Sequence, residues 1–122
     1  MINNILLVGA GGFFGSIARY LVSILIPNAA HGFPWGTLTV NLLGCFIIGL
    51  LMGLPDRQTA TSSNAMLFLS VGFCGGFTTF STFSKESLAL LQAGDYLLFA
   101  LYCFCSVAIG ILAVLAGFIL TK

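Results

Sequence analysis

Apolar residues run along the chain in four long stretches, and polar residues gather where those stretches end. The first extends from about Asn4 to Ile26 and stops at Pro27; the second extends from about Trp35 to Leu54 and stops at Pro55. PDRQTATSSN (Pro55–Asn64) is the clearest loop, followed by a third stretch from about Ser63 to Gly94 and a fourth from about Asp95 to Thr121. At roughly 20 residues per crossing, the pattern predicts an all-α membrane protein of four transmembrane helices in one domain, residues 1–122. The third stretch is too long for a straight crossing: about 32 residues make about 48 Å of helix, against a hydrocarbon core of about 30 Å. Its midpoint falls near Thr78 and Thr79, inside GFCGGFTTFSTFSKES (Gly72–Ser87), where glycines and hydroxyls replace the bulky apolar residues. Each glycine in a helix interior costs roughly 1 kcal/mol relative to alanine. The third helix is therefore predicted to break near the bilayer midplane, around residues 75–79.

Composition turns this pattern into a statement about solvent. Hydrophobic residues make up 59% of the chain and charged residues 6%, and the mean hydropathy is +1.13. A soluble domain carries about 25% charged residues, so the surface predicted here faces lipid, as in a multi-pass plasma-membrane protein. The opening MINNILLVGAGGFFG lacks a basic leader region and a small-residue cleavage site, and reads as a retained first helix. Trp35 suits an interfacial anchor and His31 a solvated loop position. Cys45, Cys74, Cys103 and Cys105 lie within apolar segments without metal-ligand spacing, and read as small core residues. No phosphate-binding loop, nucleophile triad or metal-ligand cluster is present, so no enzyme is expected, nor a nucleic-acid partner.

Charge alters the topology. With the amino terminus inside, Arg57 and Lys122 lie on the cytoplasmic side, and Arg19 and Lys85 toward the other. Two against two gives no positive-inside bias. The chain is predicted to insert both ways and to pair with an inverted copy of itself, an antiparallel dual-topology homodimer that reproduces with two chains an inverted repeat. Gly11 with Gly15, Gly49 with Gly53, Gly72 with Gly76 and Ala113 with Gly117 form small-xxx-small pairs, which suit a tightly packed oligomer.

The polar residues within the spans carry the candidate chemistry. Arg19 reads either as a snorkelling residue or as an anion attractor or carbonyl clamp. Asn41 shares a face with Thr37, Gly44 and Cys45; it is interhelical glue or a pore-lining donor, and its small neighbours favour the second. A break near Gly75 and Gly76 frees carbonyls upstream, suited to a cation, and amides downstream, where Thr78 and Thr79 can cap the second half-helix. With that helix start, the hydroxyls of Thr79, Ser81, Thr82 and Ser84 suit an anion. Phe80 and Phe83, three apart, project from one face, and their positive ring edges attract an anion weakly; among twelve phenylalanines, only their place beside the break distinguishes them from packing residues. Tyr102 and Ser106, four apart, extend a polar track or simply pack. Lys85 and Glu86 read as vestibular or interfacial.

These residues resemble the Fluc/CrcB family of fluoride channels. The likeness rests on GGFFGSIARY (Gly11–Tyr20), GTLTVNLLGCFIIG (Gly36–Gly49) and above all GFCGGFTTFSTF (Gly72–Phe83), and it covers essentially the whole chain. It implies an antiparallel homodimer with two fluoride pathways that passively export fluoride and confer fluoride resistance. It implies a structural sodium ion at the dimer centre, held by the backbone carbonyls of Gly75 and Thr78. It makes Phe80 and Phe83 an aromatic box, Asn41 the pore amide and Arg19 a structural arginine, with Ser81 and Thr82 in the hydroxyl-rich part of the motif. One departure is Gly110, which stands four residues after Ser106 where the family tends to continue its hydroxyl track.

Two other functions fit four spans. A proton-coupled multidrug exporter of dual topology needs a buried carboxylate, usually in the first span, and that span carries Arg19 and no acid. A non-conducting scaffold accounts for the glycine pairs, but not for hydroxyls and ring edges beside a midplane break.

Overall fold

The computed structural model describes residues 1–27, 32–54 and 64–122. His31, Pro55, Arg57 and Ser63, to which the sequence assigns loop positions, a helix stop, a cytoplasmic charge and a span start, lie outside the described residues. The described residues form helices and no strands. Helix α1 spans Ile2–Leu25 and α2 spans Trp35–Met52. The third crossing is built in two halves. Its first half, α3, joins a turn at Asn64–Met66, a wide π-helical stretch at Leu67–Cys74 and a turn at Gly75–Phe77. Its second half, α4, spans Phe80–Gln92, and α5 spans Tyr96–Thr121. Four of these units are long and apolar enough to cross a membrane: α1, α2, the combined Asn64–Gln92 segment and α5.

The helix ends follow from local chemistry. Pro27 cannot continue α1, which closes with the Ile26 N–H donating to the Val22 carbonyl at 2.8 Å. α4 ends at Gly94, whose φ of +80° favours glycine. Gly94 N donates to Leu91 O and Asp95 N to Leu90 O, the paired bonds of a Schellman turn that lets α5 start two residues later.

Lipid as solvent leaves little to bury. One apolar cluster joins Leu38, Leu90 and Tyr102 with Phe33, Phe83 and Phe99 against it, and Val40 and Phe77 are buried besides, while Phe13, Phe14, Leu97 and Phe104 stay exposed. Where the hydrophobic effect does not drive helices together, close backbone contact does. Two glycine seams supply it. Along α1 and α3, a methyl group on Gly11 or Gly15 would run into the Phe68 or Phe73 carbonyl, and one on Gly72 would lie 2.9 Å from Gly11 Cα. Along α2 and α5, Gly49 lies against the Val114 carbonyl and Gly117 against that of Phe46. Thr121 Oγ1 locks this second seam by donating to Leu50 O at 2.7 Å. The glycine pairs thus serve packing inside one chain and leave no argument for an oligomer. Sequence spacing shows that a helix face is small, not which helix lies on it.

Candidate functional site

The two halves of the third crossing meet at Thr78 and Thr79, both extended, with φ, ψ of −82°, 160° and −149°, 118°. Gly75 and Gly76 remain helical, so the interruption falls just after the glycines. Its cause is a redirection of hydrogen bonds. Thr78 N still donates to Cys74 O at 3.0 Å, and Thr78 Oγ1 donates to the same carbonyl at 2.9 Å. Thr79 N donates instead to Asn41 Oδ1 at 2.9 Å, and Asn41 Nδ2 donates back to Thr79 O at 3.2 Å. One amide side chain on α2 therefore clasps both polar groups of one peptide residue. Thr79 Oγ1 then caps α4 by accepting from Thr82 N at 3.2 Å.

This redirection leaves backbone groups over. The Gly75 carbonyl loses its helical partner, since Thr79 N has turned to Asn41, and the Thr78 carbonyl loses Thr82 N to the cap. The Gly76 carbonyl is claimed by Arg19 Nε at 3.1 Å. At the start of α4 the amides of Phe80 and Ser81 have no acceptor among the described residues, as expected of the first turn of a helix.

Two hollows flank the interruption, and Thr79 lines both. The one toward α5 encloses about 270 Å³ between Asn41, Thr78, Thr79, Phe80, Phe83 and Ser106. Its polar groups are all neutral. Ser106 Oγ is buried there without a hydrogen-bond partner among the described residues, and Asn41 has a second N–H beyond the clasp. Phe80 is 79% exposed, with its ring centroid 5.7 Å from that of Phe83 at a 42° tilt. Phe83 is fixed from behind by Tyr102, centroid to centroid 4.9 Å. The other hollow, of about 300 Å³, lies toward α1 and is lined by Ser16, Arg19, Ser23, Thr37 and Thr82.

The structure thus gathers Asn41, Thr78, Thr79, Phe80, Phe83 and Ser106 and separates the remaining candidates. Ser81 is exposed beside the groove, its hydroxyl 3.4 Å from Thr79 Oγ1. Thr82 faces the Arg19 hollow. Gly75 is exposed, with open space where a side chain would be. Tyr102 is fully buried, and its hydroxyl donates to Glu86 Oε1 at 2.9 Å rather than lining the groove. Beyond Ser106, Gly110 packs against Cys45, whose Sγ lies 3.5 Å from where a Cβ would sit.

One network is absent from the sequence reading. Thr37 Oγ1 donates to Glu86 Oε2 at 2.9 Å while Tyr102 holds the other oxygen, so one carboxylate ties α2, α4 and α5 together. The available signal was the shared face of Thr37 and Asn41, one turn apart on α2. Arg19, left open between three roles, acts as a carbonyl clamp. Replacing it by Met removes a charge-assisted bond worth about 1.5–3 kcal/mol. The melting temperature of the purified protein should fall accordingly, and an unchanged melt would mean that the Gly76 contact contributes nothing.

Comparison of the sequence with known proteins finds relatives of this chain. The family profile described as "CrcB-like protein, Camphor Resistance (CrcB)" matches residues 6–118. A fluoride-specific ion channel FluC from Azobacteroides pseudotrichonymphae is 47% identical over 123 residues, covering 100% of this chain and 98% of the relative. That of Chlorobaculum tepidum is 48% identical over 122 residues, covering 100% and 97%. A third, from Bacteroides fragilis, is 46% identical over 118 residues, covering 93% and 92%.

Proposed function

The chain belongs to the CrcB family, and on that premise we propose that it is a fluoride-specific ion channel of the plasma membrane, working by passive conduction and not by catalysis. The observation that carries the mechanism is the groove beside Thr79, which collects weak donors and, among the described residues, no charged group. Fluoride holds its hydration shell tightly, and a conducting path has to replace that shell without trapping the ion. The unpartnered Ser106 hydroxyl, the spare Asn41 N–H, the free amides at the start of α4 and the edges of Phe80 and Phe83 each give a small part of that replacement. Among the described residues, no lysine or arginine lines this groove to hold the anion. The Asn41 clasp keeps the donors in place by fixing the peptide that joins the two half-helices.

Extended backbone within a membrane is tolerated where it is covered by protein or lines a cavity. The hollows on both sides of Thr79 meet that condition, which supports placing the break near the midplane. The even split of basic residues supports an antiparallel homodimer, and Phe80, 79% exposed beside hydroxyls, is a surface that a second copy would cover. The carbonyls of Gly75 and Thr78 suit a structural sodium ion. Their helical donors are diverted, they are hard oxygen ligands, and open space adjoins Gly75. When bound, the ion supplies a fixed positive charge that joins the two copies.

Liposomes loaded with fluoride, and a matched set with chloride, test the reading. Wild-type protein should release fluoride rapidly and chloride slowly, and the double substitution Phe80→Ile, Phe83→Ile should stop the fluoride flux. Folded, dimeric protein that releases no fluoride would refute the channel reading.

A further inference from the structure

Lys85 takes no part in the clasp, the groove or the Glu86 network. It lies six residues beyond Thr79, about 9 Å along α4 at 1.5 Å per residue, whereas the hydrocarbon half-thickness is about 15 Å. On the reading that the break lies near the midplane, its Cα is therefore at hydrocarbon depth. The side chain is exposed, and the described residues give it no carboxylate partner. Both oxygens of the adjacent Glu86 accept hydrogen bonds from Thr37 and Tyr102 on the packed side of the helix.

The neighbours of Lys85 decide what covers this face. Ser84 stands one turn beyond Phe80, Ser81 one turn before Lys85, and both are exposed. The Ser84 hydroxyl has no partner among the described residues. A lysine can reach the headgroups along its own stem or stand in water. The Ser84 hydroxyl, unlike that of Ser87, which donates to Phe83 O one turn back, is turned to no carbonyl and is open to water. From Phe80 beside the groove, the exposed positions Ser84 and Lys85 lead along α4 to a cation with no partner among the described residues.

We propose that Lys85 stands in a water-filled mouth of the fluoride path and raises the local fluoride concentration there, setting the conduction rate without binding the ion in the groove. This rests on the channel reading above. A cation at a wet mouth acts through space, so its influence depends on screening.

The experiment is fluoride efflux from liposomes at about 20 mM and about 300 mM ionic strength, set with an impermeant salt, for wild type, Lys85→Gln, Lys85→Glu and Lys85→Arg. A unit charge several ångströms from the path in water predicts Lys85→Gln to be about threefold slower than wild type at the low strength and within about 1.5-fold at the high one. Lys85→Glu should be slower still, and Lys85→Arg should match wild type at both strengths. Equal rates for wild type and Lys85→Gln at both strengths would overturn the inference: Lys85 then reaches for the headgroups, and the channel reading stands. The wild type alone gives a second readout should the glutamine variant not assemble, since a wild-type rate flat across this range overturns the inference as well. Wild-type protein without fluoride efflux fails both readings together.

Discussion

Replacing Asn41 by leucine should abolish most fluoride conduction, slowing efflux by about a hundredfold or more. The substitution strips the Thr79 N–H and carbonyl of the partners that redirect the backbone there. Each buried polar group left unmet costs about 1–3 kcal/mol, and about 1.4 kcal/mol in a barrier is tenfold in rate. Losing the clasp and a groove donor together accounts for the size of the effect. Asn41→Asp separates the two contributions. A carboxylate still accepts from Thr79 N but no longer donates to Thr79 O, and it adds a negative charge beside the path of an anion. The aspartate variant should elute as wild type does and fail to conduct. Efflux from Asn41→Leu within about threefold of wild type would remove Asn41 from the conduction path.

The largest effect on stability should come from Gly15. Its missing side chain is the space into which the Phe73 carbonyl projects, with Phe77 N 3.0 Å from an added Cβ. All of these obstacles are backbone, so none can move aside as a flexible side chain would. Gly15→Ala therefore forces α1 and α3 apart, at a cost of about 3 kcal/mol, the upper end for overpacking. Gly9→Ala, on the same helix, meets nothing within 4 Å and should be neutral or slightly stabilising. Thermal melts of the two purified proteins, side by side, give the comparison. Equal melting temperatures would mean that close approach of the two helices is not what Gly15 serves.

How far the site could be read from the chain varies by residue. Phe80, Phe83 and the hydroxyls beside them stand out because the motif around the interruption is local, with Thr79 a capping residue that the chain itself supplies. Asn41 stands out as an amide on a small-residue face of α2, but that it turns the backbone at Thr79, while Gly75 and Gly76 stay helical, depends on α2 lying against the third crossing. Tyr102 and Ser106 show the limit of spacing. Four residues apart, they share a helix face, yet Ser106 lines the groove while Tyr102 turns to Glu86 in the interior. A long helical side chain leans toward the amino-terminal end of its helix, so the tyrosine ring is carried away from the short serine. Glu86 reads from the chain as vestibular or interfacial, but its partners Thr37 and Tyr102 come from two other helices, and no periodicity in α4 contains them.

By itself the sequence determined the solvent, the four crossings and the approximate place where the third is interrupted. Each of these depends on residues within a turn or two of one another, or on composition. Tertiary structure alone decided that the glycine faces close on each other within one chain, that Arg19 and Asn41 take up the backbone groups freed at the break, and that one carboxylate joins three helices. Those outcomes depend on how helices distant in sequence are placed against each other. A single helix face fixes what it can offer, and only the opposing helix fixes what it meets.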